Sequence, residues 1–256
     1  MIHADLYDAG LTLLDTCHRA STRLAALPDS HPLKPHIKRV AQRVVKNHMT
    51  SLHILFALTA IDPKTTETIN PTLLPPNLDI PILTTIDIQK EHAITCNAAL
   101  HNGECVLYAN GSGFENGIGA SAVLYEDGIE RGSLKFNLGS TEEHTVFEGE
   151  VAGILLGLHM VEKKQIDTDK IVIFVDNQVA IQSITKCSPT PSQYLVNAVQ
   201  EAIKRLEDYK IEIHWTPGHE GVVGNECADE LAKEAAKGES SNTVKNLPTR
   251  IQAAAH

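Results

Sequence analysis

Four short strings hold the side chains of this chain that could do chemistry. They are Leu107-Tyr108-Ala109-Asn110-Gly111-Ser112-Gly113, Thr145-Val146-Phe147-Glu148-Gly149-Glu150, Phe174-Val175-Asp176-Asn177-Gln178, and Trp215-Thr216-Pro217-Gly218-His219 running on to Gly224-Asn225-Glu226-Cys227-Ala228-Asp229. Three strings place a carboxylate, Glu150, Asp176 or Asp229, where a strand should end or a helix begin; the fourth has the amide Asn110. Carboxylate oxygens are hard ligands that suit Mg²⁺ or Mn²⁺, and Mg²⁺ normally keeps water and takes only one or two protein carboxylates. A cleft where three or four such groups converge therefore suits two ions. Each feature alone has a plainer reading. Asp229 with Asn225, or Asp176 by itself, would cap a helix; Glu148 and Glu150 would be solvated helix acids; His219 would be an ordinary loop histidine. The order of the strings, with Trp-x-x-Gly-His ten residues ahead of the last Asp, is more specific than any one of them.

The elements that must position these groups are legible from periodicity. Glu104–Tyr108, Ile118–Tyr125 and Gly132–Asn137 alternate as strands, with turn signals at Glu115-Asn116-Gly117 and Glu126-Asp127-Gly128. A helix is expected over His144–Met160 with Val151, Ile154, Leu155 and Leu158 inward, then a buried parallel strand over Lys170–Val175. Helices near 176–185 and 191–208, a strand at 210–215 and a helix at 225–237 complete a β-β-β-α-β-α-β-α order. Asp176 and Asn110 then fall at strand ends, the usual ligand position of open α/β sheets. Gly111-Ser112-Gly113 would let a phosphate chain approach the backbone, and Asp229 would sit in the first turn of the last helix. Upstream, the pattern predicts a helix over 4–26 and a second over 35–57, whose apolar stripe is Ile37, Val40, Val44 and Val45 and whose other face carries Lys38, Arg39, Arg43 and Lys46. That face either packs or touches a nucleic-acid backbone. Pro63, Pro71, Pro75, Pro76 and Pro81 exclude a long helix or central strand and read as a linker.

In this order the strings resemble the type 1 ribonuclease H family, over roughly residues 102–237. The resemblance implies an α/β fold: a five-stranded mixed sheet, three antiparallel strands then two parallel, flanked by helices. The expected organisation is a helical extension at 1–60, a Pro-rich linker at 61–95, the ribonuclease H-like domain at 96–238 and a disordered tail at 239–256. It further implies that the positions of Asn110, Glu150, Asp176 and Asp229 hold two Mg²⁺ ions, with Mn²⁺ as substitute, about 3.5–4 Å apart. Such a centre cleaves the RNA strand of an RNA–DNA hybrid, leaving 5′-phosphate and 3′-hydroxyl ends, and reads the 2′-hydroxyl to tell RNA from DNA. Gly111, Ser112, Asn116 and Gln178 match substrate-facing positions, Thr145 matches one near a DNA phosphate, and His219 matches a mobile histidine that assists proton movement or product release. The Leu27–Leu33 segment resembles the junction between polymerase and ribonuclease H in fungal non-LTR retrotransposon polyproteins, which implies a polymerase domain in a longer ancestor.

The family has Asp where this chain has Asn110. An amide keeps a carboxylate's shape but loses its charge and one acceptor oxygen, so it bridges two cations poorly. Two functions follow: a two-metal endonuclease impaired at one ligand, or an inactive module that binds nucleic acid or a protein. Exonucleases and integrases on the same fold lack the Gly218-His219 to Asp229 string. The segment between Asp176 and His219 also lacks the Lys/Arg cluster interleaved with Trp by which some bacterial members grip the hybrid.

Composition bounds the rest. The 256 residues suffice for one well-buried domain plus an appendage, and a net charge of −10 argues against holding nucleic acid by bulk attraction alone. Five scattered cysteines with no CxxC pair read as reduced thiols, and no 18-residue apolar run or signal-peptide pattern occurs, so an intracellular, cytoplasmic or nuclear protein is expected.

Overall fold

The computed structural model describes residues 2–42, 49–66, 68, 82–102, 104–164, 166–185, 192–241 and 247–248. The chain divides into two compact units, residues 1–72 with 188–193 and residues 73–187 with 194–256.

The first unit is helical: α1 (Ile2–Ala25), α2 (Lys34–Gln42) and α3 (Ser51–Thr59). Ala25, Ile37 and Phe56 form its core, with Leu24, Leu27, Val40, Leu52 and Ile61 against them. The single helix expected over 35–57 is two helices. Met49 and Thr50 are not helical, and Thr50 instead starts α3, with its backbone N–H donating to His53 Nδ1 at 3.2 Å. The expected Val44, Val45, Arg43 and Lys46 lie outside the described residues. Buried Lys34 closes α1 by donating from Nζ to the Ala25 carbonyl at 2.9 Å, so a charge is satisfied by an orphan carbonyl of a helix end.

The second unit contains β1 (Ile82–Thr85), α4 (Lys90–His101), β2 (Cys105–Phe114), β3 (Gly117–Glu126), β4 (Ile129–Ser140), α5 (Val146–Lys164), β5 (Lys170–Val175), α6 (Gln178–Thr185), α7 (Gln193–Arg205), β6 (Lys210–Trp215) and α8 (Val223–Ala236). Its sheet has six strands in the order β1-β6-β5-β2-β3-β4, not five. β2, β3 and β4 are antiparallel neighbours, while β2, β5, β6 and β1 run parallel. The added strand and the first half of α4 fall inside the stretch expected to be linker. Proline permits this because β1 is an edge strand that begins just after Pro81.

The sheet buries both faces, which is why β5 is a continuous apolar run. Ile171, Ile173 and Val175 join α5, α6 and α7 in the larger core. Val172 and Phe174 face a smaller one with Val222, Ala228, Ile94 and Leu100, so α4 and α8 cover that side. The tail is also more ordered at its start than its polar composition suggests. The Ser241 N–H donates to the Lys135 carbonyl at 2.8 Å and the Asn137 N–H to Ser240 Oγ at 2.9 Å, so 240–241 occupy open groups of the edge strand β4. Leu247 is 5 % exposed and belongs to the core.

Candidate active site

Parallel pairing of β2 with β5 sets Ala109 opposite Val175, so the next residues, Asn110 and Asp176, emerge side by side. Asn110 Nδ2 donates to Asp176 Oδ2 at 3.2 Å. Helix α5 brings the third group. Its backbone lies so close to β2 that a Cβ on Gly111 would stand 2.2 Å from the Glu150 nitrogen, and the Gly111 N–H donates to Glu150 Oε2 at 3.1 Å. The glycine expected to admit a phosphate therefore admits a helix: its missing side chain is filled by α5.

Asp176 is fixed from several directions. Trp215 Nε1 donates to its backbone carbonyl at 3.0 Å, and Asn225 hydrogen-bonds its carboxylate. The cap of α6 is Asn177, whose Oδ1 accepts the Val179 and Ala180 N–H groups at 3.0 and 3.1 Å. Asp176 is thereby left for the cleft. Burial, and then the nearby Asp176, push the Glu150 carboxyl well above the usual range, against the hydrogen bonds from Gly111 and Asn177. Burial likewise raises Asp176, with Asp229 adding to it and Asn225 and Asn110 opposing it. These groups meet at a cost that a cation would relieve.

Residues 102–237 match RNase H, more than half of the chain. The chain belongs to the RNase H family. Among solved structures it is similar to RNase H1 from the halophilic archaeon Halobacterium salinarum NRC-1 at 21 % identity, covering 54 % of this chain and 100 % of that one, with a TM-score of 0.43. It is also similar to the N-terminal RNase H domain of Rv2228c from Mycobacterium tuberculosis, solved as a fusion with maltose binding protein, at 19 % identity, 52 % and 93 % coverage and a TM-score of 0.43. A third is LC11-RNase H1 in complex with RNA/DNA hybrid, at 16 % identity, 52 % and 97 % coverage and a TM-score of 0.44. No curated protein matches.

The remaining residues expected at the RNase H site are placed as follows. Asp229 lies in the second turn of α8 rather than its first, because the helix begins at Val223, and it pairs with Lys233 one turn on. His219 holds a left-handed backbone at φ 58°. Its ring, Glu226 and Asp229 offer ligand atoms within 4.8 Å of one another. Ser112 is buried beside Asn110 on β2. Asn116 is exposed in the β2–β3 turn, its Oδ1 accepting from Thr141 Oγ1 at 2.6 Å. Gln178 is exposed at the first position of α6.

Thr145, exposed to solvent, starts α5. Its N–H donates to Glu148 Oε2 at 2.8 Å while its Oγ1 accepts the Glu148 N–H at 3.3 Å, a reciprocal cap of α5. Tyr194 also donates to Glu148, at 2.8 Å.

Sequence reasoning missed Asn177, Asn225 and Glu226 as site residues. All three stood inside the quoted strings, but short polar side chains at helix starts read as caps. Asn225 is 2 % exposed and its Oδ1 has no hydrogen-bond partner, an orphan acceptor facing the need for a donor or a cation.

Proposed function

We propose that this chain is a divalent-metal endonuclease for the RNA strand of RNA–DNA hybrids, impaired because Asn110 stands in place of a bridging carboxylate. The donor set fits a hard cation: three carboxylates, Glu150, Asp176 and Asp229, with amide oxygens from Asn110 and Asn225, all oxygen. Two Mg²⁺ or Mn²⁺ ions held by Asn110, Glu150, Asp176 and Asp229 would supply an activated water and charge stabilisation at the leaving 3′ oxygen. The chain's own residues orient these ligands: Gly111 and Asn177 hold Glu150, and Trp215 and Asn225 hold Asp176. His219, at the exposed mouth, would move protons or help product leave, and Ser112, Asn116 and Gln178 would meet the hybrid.

The observation that carries the impairment is the 3.2 Å bond from Asn110 Nδ2 to Asp176 Oδ2. An amide N–H occupies the position between two ligands where the family needs a cation. The test is Asn110→Asp. With Mg²⁺ or Mn²⁺ and a labelled hybrid, the variant should cleave the RNA strand faster by on the order of 100-fold, the size of one lost electrostatic contact to the reacting charge. A folded but inert Asn110→Asp protein would overturn the nuclease reading.

The same bond favours a second reading, a module that keeps the cleft to bind nucleic acid or a protein without cutting. Hybrid binding by an inert Asn110→Asp chain would select it. The Leu27–Leu33 resemblance leads us to place the chain in a retrotransposon-type polyprotein lineage; an upstream reading frame without polymerase motifs would oppose this.

A further inference from the structure

The face of the sheet covered by α4 and α8 carries a second set of donor side chains, away from the carboxylates. His214, on β6, is 8 % exposed. Its Nε2 lies 3.2 Å from Glu212 Oε2 and its Nδ1 lies 4.0 Å from Cys96 Sγ, on α4. Glu212 is held by Lys210 at 2.8 Å and Lys170 at 3.3 Å. A carboxylate oxygen only accepts, so it takes the hydrogen of Nε2 and leaves Nδ1 turned toward the sulfur.

A carboxylate that orients one imidazole nitrogen while the other faces a thiol is the outer half of a histidine–metal arrangement. We propose that Cys96 and His214 form a second metal site, for a borderline cation such as Zn²⁺, separate from the carboxylate cleft. Zinc bonds of about 2.3 Å to sulfur and about 2.0–2.1 Å to nitrogen put the two atoms about 3.6 Å apart at a tetrahedral angle, so the pair needs to close by about 0.4 Å. The 4.0 Å separation is at the outer limit of a sulfur hydrogen bond and lies within a small side-chain adjustment of two ligands sharing an ion.

The surroundings suit a cation. The carboxylates of Asp87 and Glu212 stand near the Cys96 thiol, with Lys170 opposing their charge. A metal removes the thiol proton outright, which burial and these acids otherwise disfavour. Cys96 is partly exposed, so an ion can enter from its side. Among the described residues no third His, Cys, Asp or Glu joins the pair within ligand reach, so water completes the shell and the site is open. Thiolate and imidazole select against Mg²⁺, so an excess of Mg²⁺ fills the cleft without competing here.

The experiment uses the full chain, stripped with EDTA and returned to excess Mg²⁺. Titrated Cd²⁺ should raise a thiolate-to-metal charge-transfer absorption that saturates at one equivalent and is lost in Cys96→Ser. Glu212→Gln should weaken the affinity about 10–100-fold, the usual effect of removing a partner that orients a ligand. In parallel, Zn²⁺ should slow iodoacetamide alkylation of Cys96 at least tenfold, read by peptide mass, with Cys17 unaffected. An undiminished absorption in Cys96→Ser, or a Cys96 alkylation rate indifferent to Zn²⁺, would overturn the proposal. Neither readout depends on nuclease activity.

Discussion

Asn110 changes what the cleft does at rest. With Asp at that position three buried or half-buried acids would become four, and without metal the added charge would repel Glu150 and Asp176, both already raised. A raised carboxyl contributes stability that is fully present below its unfolded value and lost as pH rises through its folded value. The EDTA-treated chain should therefore melt higher at pH 5 than at pH 8. Mg²⁺ or Mn²⁺, binding only the folded state, should raise the melting temperature at pH 8, more in Asn110→Asp than in the parent. Melting curves unchanged between EDTA and Mn²⁺ in both proteins would mean the acids share no site. Glu212 behaves oppositely. Its carboxyl sits at about 2, below the unfolded value of about 4.3, so its contribution is present above pH 4.3 and lost as pH falls toward 2. Glu212→Gln should melt lower at pH 6 and converge with the parent by about pH 2–3, followed by circular dichroism. A constant gap across that range would show that Glu212 acts by packing alone.

At the scale of elements, the contact between α5 and β2 sets the site. Thr145 and Glu148 cap the helix, and 13 buried residues, from Glu148 to Val161, hold it down. Glycine at 111 lets the helix backbone reach the strand. Gly111→Ala would drive a Cβ to 2.2 Å from the Glu150 nitrogen, and neither backbone is a flexible side-chain end. It should cost about 3 kcal/mol or more of stability and displace Glu150, measured by urea unfolding and by cleavage in the Asn110→Asp background. A Gly111→Ala chain within about 1 kcal/mol of the parent would show that α5 yields easily. Glu150 stood out in the sequence as a candidate ligand, but its neighbour Glu148 was not legible as a cap, because both are acids on one helix and only the fold separates their surroundings.

Across the whole molecule, the two units predict where the chain can be cut. Removing residues 1–72 should leave residues 73–256 folded, whereas removing 1–90 also strips β1, which pairs with β6 from Ile82 opposite Ile211 to Thr85 opposite His214. The longer deletion should expose that β6 edge and lower the melting temperature by several degrees, as loss of about 1–2 kcal/mol does in a domain of this size. Equal melting of the two truncations would make β1 dispensable. If the basic residues of the first unit, Arg19, Arg23, Lys38 and Arg39 among them, contact nucleic acid, the 73–256 chain should bind hybrid more weakly, with a smaller salt slope. Identical slopes would assign that unit to packing.

The sequence by itself determined the strand and helix order from Cys105 onward, since alternation and apolar runs are local consequences of which faces are buried. Strands Lys170–Val175 and Lys210–Trp215 carry the same bounds in the structure. It also determined the acids and the amide, because their types and order are chemistry before they are geometry. Only the tertiary structure decided β1, whose four residues are too short to signal a strand and take their hydrogen bonds from β6. Only it decided that Thr145 serves a helix and that Gly111 serves a close approach, since a cap and a ligand contact use the same groups. Cys96 meets His214 by the same cause: residues 118 apart in the chain are joined when α4 packs over a sheet face, an approach that no local pattern announces.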